Sequence, residues 1–104
     1  MYLFVYITTS DEDEAKKVGK KLLEKNLIAC ANIFPITSMF WWKDKIEESP
    51  ECVLVAKTKS ERFKELKEEV LKVHSYETPC IVAFAIEDGL RDFLEWIDES
   101  TQER

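Results

Sequence analysis

The only histidine of the chain, His74, stands in the stretch KVHSYETPC, residues 72–80, and Tyr76, Glu77, Pro79 and Cys80 follow it within six residues. An imidazole, a phenol, a carboxylate and a thiol at this spacing admit three kinds of chemistry. A neutral imidazole joined by Glu77, Cys80 or a carboxylate from another segment would make a metal site. The same ring at the C-terminal end of a helix would meet the last free carbonyls and serve as a polar joint. A Cys80–His74 dyad would be the catalytic version. However, a thiol set between Pro79 and the apolar run IVAF lacks the electropositive setting that lowers its pKa. With two glycines in the chain there is no phosphate-cradling loop, and neither an HExxH nor a nucleophile-elbow pattern occurs. The expectation is a protein that is not an enzyme.

Other residues that could carry chemistry lie further off. Glu51 and Lys57 are an even number of residues apart in a strand-like stretch and so point to one face, as a cross-strand ion pair or as the carboxylate and cation of a pocket. The cluster Phe40, Trp41, Trp42 fits either an interface core or a ligand platform, since Trp dominates the buried centres of interfaces. Cys30, Cys52 and Cys80 are odd in number, widely spaced and set in apolar runs. They read as reduced thiols of a cytoplasmic protein, and a soft Cu(I) site would need two sulfurs to converge across strands or subunits.

These residues need elements to position them. Residues 2–9, YLFVYITT, suit a buried central strand. Ser10 offers an N-cap with Asp13 three residues on, and Ala15, Val18, Leu22 and Leu23 give helical spacing over about 11–25, ending near Asn26. Residues 28–43 and 46–58 form a long β-hairpin, with Pro35 implying a bulge or an edge segment. Ser60 can cap a second helix running to about Val73, so His74 falls just past its end. Residues 80–87 form a last strand. Asp88 and Gly89 open a last helix with Leu90, Phe93, Leu94 and Ile97 as its apolar stripe.

The order β-α-β-β-α-β plus a C-terminal helix predicts an α+β, ferredoxin-like domain over residues 1–104, with helices on one face of an antiparallel sheet. The distal hairpin carries Phe34, Ile36, Met39, Phe40, Trp41 and Trp42, more apolar surface than two helices cover. That excess implies a partner, and a closed ring of identical subunits would also pair the long edges. A pocket shared between subunits would then follow.

Composition narrows the function classes. The 104 residues carry a net charge of −6, which disfavours a phosphate-backbone partner, so no nucleic acid is expected. No run approaches the length of a membrane span, and the first ten residues have neither the basic flank nor the cleavage site of a signal peptide. Charged residues reach 35%, mostly Lys and Glu, a balance typical of thermostable surfaces.

The blocks LIACANIFPITSMFWWKDK, ECVLVAKT, HSYETPCIV and FLEWI, in this order, closely resemble the divalent-cation tolerance proteins of the CutA family over nearly the whole chain. The resemblance implies a ferredoxin-like subunit in a tightly packed homotrimer, related in architecture to PII signalling proteins. It also implies a role in tolerance of divalent metals, copper first and zinc second. The family's polar motif positions fall on Cys30, Asn32, Ser38, Trp42, Glu51, Lys57, His74, Tyr76 and Glu77. The leading expectation is direct metal binding through His74, Glu77 and Cys30; the alternative is a PII-like module whose inter-subunit pocket, lined by Trp42, Glu51, Lys57, His74, Tyr76 and Glu77, receives a small molecule or a partner's segment. Ser75, Asp44 and Ile7 depart from the family pattern. Val73 stands where some members have a second histidine, leaving His74 as the one imidazole.

Overall fold

The computed structural model describes residues 1–103. Its elements are β1 (Tyr2–Thr9), α1 (Glu12–Glu24), β2 (Cys30–Trp42), β3 (Lys45–Lys59), α2 (Ser60–Val73), β4 (Ile81–Ala85) and α3 (Arg91–Ser100). The four strands form one antiparallel sheet in the order β2-β3-β1-β4, the α+β, ferredoxin-like arrangement with an added C-terminal helix.

Strand alternation decides which side chains meet the helices. Leu3, Val5 and Ile7 of β1 lie beside Leu54 and Ala56 of β3, and with Ala15, Val18 and Leu22 of α1 and Leu66 and Val70 of α2 they build the core. Between the two helices the nearly buried Glu69 carboxylate accepts from Lys72 at 3.0 Å and Lys25 at 3.2 Å. The hydrogen bond from Lys72 holds its carboxyl below the usual range. Gly19 marks the closest approach of α1 to the sheet: a Cβ there would sit 3.0 Å from Leu54 Cδ1.

Several boundaries differ from the sequence expectation. Asp11, not Ser10, is the N-cap of α1; its side chain accepts the Glu14 N–H at 2.8 Å, while Glu14 accepts the Ser10 N–H at 2.9 Å. The cap is thus displaced by one residue, with Glu14 reaching past the N-cap to the residue before it, because β1 continues through Thr9, whose hydroxyl donates to the Cys52 carbonyl at 2.8 Å. Lys59 takes the N-cap position of α2 without a side-chain bond, and Ser60 is already helical. The last helix begins at Arg91 after an extended Leu90, so Asp88 and Gly89 lie outside it. Pro35 makes no bulge: Cys30↔Lys57 through Trp42↔Lys45 pair in one unbroken register, with Pro35 on the edge strand.

The hairpin outruns the rest of the sheet. β1 pairs with β3 only as far as Thr9↔Cys52, so residues 36–42 and 45–51 form a ribbon paired only to each other. This gives the chain a longest extent of 45 Å. The ribbon closes through Lys43 and Asp44, with φ of 51° and 63°, the double left-handed conformation of a two-residue turn that matches strand twist. Away from the helices, Phe4, Phe34, Phe40, Trp42, Val82 and Phe84 share one face of the sheet, and all are exposed.

Candidate functional site

α2 ends at Val73, and the His74 N–H closes its last turn on the Val70 carbonyl at 2.9 Å. The ring does not cap that helix, as the joint reading of the sequence had it. It turns instead toward the end of β1, where Nε2 donates to the Thr8 carbonyl at 2.7 Å and Nδ1 accepts the Tyr76 N–H at 3.0 Å. The His74 side chain is fully buried.

Two further contacts fix the segment from 74 to 80. The Ser75 N–H donates to Glu14 at 2.8 Å, and the Tyr76 hydroxyl donates to the Glu51 carboxylate. Tyr76 also leans on the His74 ring, centroids 4.9 Å apart. Burial acts to raise the Glu14 carboxyl, but hydrogen bonds from Ser10 and Ser75, with His74 nearby, win and hold it at about 2. Tyr76 moves the other way. Burial and the neighbouring Glu51 carboxylate push its phenol well above the usual tyrosine range.

Thr8, Ser10, Glu14 and Ser75 are the members of this joint that sequence reasoning missed. Only Glu14 left a signal, as the fourth residue of the D-x-x-E capping pattern that starts at Asp11. Beside the joint, the N-terminus of α1 and the base of the ribbon enclose a cleft of about 300 Å³. Ile33, Phe34, Pro35 and Pro50 line it, together with Asp11, Glu12 and Glu51.

Of the residues singled out in the sequence, the structure brings together His74, Tyr76 and Glu51, with Glu77 exposed on the same segment. Glu51 and Lys57 do share a face, but six residues of strand, roughly 20 Å, separate them. They form no ion pair: Lys57 donates to the Asn32 side chain and Glu51 accepts from Tyr76. Trp42 lies six residues beyond Ile36, the cross-strand partner of Glu51, and so roughly 20 Å toward the ribbon tip. Cys30 pairs across from Lys57, which faces Phe4. That is four residues, roughly 13 Å, along β1 from the Thr8 carbonyl that holds His74.

The donor set His74, Glu77 and Cys30 therefore does not assemble within one chain, and both nitrogens of its imidazole are already engaged. Among the described residues, no group of three or more His, Cys, Asp or Glu side chains is placed to hold a metal ion. The thiols are free: Cys52 is buried, with its Sγ 3.4 Å from the Phe34 carbonyl, Cys30 is half-buried, and Cys80 is exposed rather than a core residue. No helix among the described residues is long and apolar enough to cross a membrane.

Comparison with known proteins places this geometry. The model of the family described as CutA1 divalent ion tolerance protein matches residues 3–100. A divalent-cation tolerance protein CutA of Archaeoglobus fulgidus is 53% identical over 102 residues, covering 98% of this chain and all of its own. Its counterpart in Thermotoga maritima is 45% identical, covering 94% of this chain and 97% of its own. Among solved structures, the A. fulgidus protein, described as periplasmic, superposes with a TM-score of 0.96 over 98% of this chain and 100% of its own. The divalent cation tolerance protein of Thermus thermophilus does so at 0.95, with 40% identity and the same coverage.

Proposed function

The chain belongs to the CutA1 divalent ion tolerance protein family, and from that premise we propose that it serves tolerance of divalent cations, copper foremost, as a non-enzymatic homotrimer with a binding site shared between subunits. The observation that carries the assembly is the uncovered apolar face. Phe4, Phe34, Phe40, Trp42, Val82 and Phe84 lie on the side of the sheet that α1 and α2 leave open, a surface a solitary domain does not leave to water. The two sheet edges are unlike, β2 with thirteen residues and β4 with five, and an edge of one copy set against the other edge of the next is a head-to-tail contact of the kind that closes into a ring. The family resemblance supports three as the number of subunits.

The same distances support the shared site. Trp42 and Lys57 each lie roughly 20 Å along the strands from Glu51, in opposite directions, so a pocket lined by all of them draws on more than one subunit. Such a module, PII-like in architecture, binds a small molecule or a partner's segment and transforms nothing. The free thiols support a cytoplasmic setting.

Sedimentation of the reduced protein at micromolar concentration tests the assembly. The expected species is a trimer, and Phe84→Lys on the open face shifts it toward monomer; a wild-type monomer overturns the reading. Calorimetric titration of the same metal-free sample with copper and zinc tests direct ion binding. A fixed stoichiometry per trimer would make the ions themselves the cargo, whereas none, with trimers intact, leaves a small molecule or a partner segment as the ligand.

A further inference from the structure

We infer that His74 is a positioning residue, held as the neutral Nε2–H tautomer in a clasp that sets Tyr76 against Glu51, and that it supplies no lone pair to a metal ion. The chemistry of its two neighbours fixes the tautomer. A backbone carbonyl only accepts, so the Nε2 that meets Thr8 carries the proton. A backbone N–H only donates, so the Nδ1 that meets Tyr76 carries the lone pair. The Glu14 carboxylate lies 3.9 Å from Nδ1, and its oxygens are taken up by the Ser10 and Ser75 amides and the Ser10 hydroxyl.

A metal at Nδ1 would displace the Tyr76 amide, and a metal at Nε2 would remove the donor from the Thr8 carbonyl. Either leaves a backbone group unpaired beside a side chain with no exposed surface. The Nδ1 bond to the residue two places on is the turn an asparagine or aspartate makes with its own backbone. It reverses the chain directly after α2 and turns the Tyr76 ring toward Glu51. The inference deepens the shared-site reading, since Tyr76 and Glu51 belong to that site, but the tautomer and the clasp do not depend on the number of subunits.

His74 is the sole histidine, so the imidazole nitrogens of the uniformly ¹⁵N-labelled protein give one set of long-range ¹H–¹⁵N correlations. These are recorded near neutral pH, alone and with zinc ion added to several equivalents, while sedimentation reports the assembly of the same samples. The expected result is a protonated Nε2 and a bare Nδ1, both unmoved by zinc whether or not zinc binds elsewhere. In His74→Asn, which keeps an acceptor in the place of Nδ1, the Tyr76 amide retains its protection from exchange. In His74→Gln, which keeps only a donor toward Thr8, that amide exchanges at least tenfold faster. An Nδ1–H tautomer, an imidazolium, imidazole nitrogens that shift as zinc binds, or a zinc equivalent lost in His74→Asn overturns the inference. A monomer in sedimentation with the tautomer as stated overturns the shared site and leaves the clasp standing.

Discussion

Glu14 accepts the backbone N–H of Ser75 at 2.8 Å, a bond between the first turn of α1 and the segment leaving α2, across 61 residues of chain. The carboxylate that completes the capping of one helix is therefore also the anchor of the candidate site. Its charge does both jobs, so both depend on its remaining ionised.

Acid tests this directly. The ordinary glutamate value is 4.5 and the folded value about 2, so the folded state favours the ionised form. The contribution is fully present above about pH 4.5 and is lost as the pH falls toward 2. Glu14→Gln should cost on the order of 2 kcal/mol at pH 7, less what the retained amide oxygen recovers, and almost nothing near pH 2. Guanidinium unfolding of both proteins at several pH values measures this; a difference independent of pH would show that the charge is irrelevant.

Tyr76→Phe removes the one donor to Glu51 in this joint and should destabilise by about 1–2 kcal/mol at neutral pH. Because the folded phenol titrates above its unfolded value of about 10, the tyrosine's contribution is complete below pH 10 and fades as pH rises beyond it. The wild-type stability curve should therefore fall more steeply above pH 10 than that of the variant. Parallel alkaline limbs would refute the assignment.

Gly19 and Leu54 should behave as a coupled pair. Gly19→Val brings a branched Cβ against Leu54 Cδ1, where even a single added carbon sits at 3.0 Å, and should cost about 1–3 kcal/mol. Leu54→Ala alone, in a fully buried position, should cost about 3–5 kcal/mol. Combining the two should cost less than the sum, by about 0.5 kcal/mol or more, as read from a double-mutant cycle. Strict additivity would mean that α1 moves away to accommodate the valine.

At the ribbon tip, Asp44→Gly should stabilise by about 0.5–1 kcal/mol, since glycine occupies φ of 63° without the penalty an aspartate meets there. Thermal unfolding with and without the substitution reads the gain. Destabilisation would point to a role for the Asp44 side chain beyond the turn.

The fold was legible because each element carries its own period. The run from Tyr2 to Thr9 and the spacing of Ala15, Val18 and Leu22 state strand and helix within a few residues of themselves. The joint was only half legible. That His74 follows α2 and has Tyr76 beside it is local information. That its ring turns to the Thr8 carbonyl, and that Glu14 takes the Ser75 amide, depends on β1 and α1 arriving from far along the chain. Parity placed Glu51 and Lys57 on one face correctly, but parity carries no distance, and six residues of strand defeat an ion pair. Pro35 illustrates the same gap: its missing donor allowed a bulge or an edge, and only the sheet order selects the edge.

β1 lies between β3 and β4, pairing Tyr2 with Lys59 and Leu3 with Ala85. β1 thus precedes both of its neighbours in the chain and waits longest for the second, while the β2–β3 hairpin, closed by two residues, can zip in microseconds. β1 meets its second neighbour only after more than eighty residues of chain, a long-range pairing of the kind that slows folding relative to local contacts. The strand on which the His74 clasp fastens is therefore also the one whose pairings span the longest stretches of chain in the sheet.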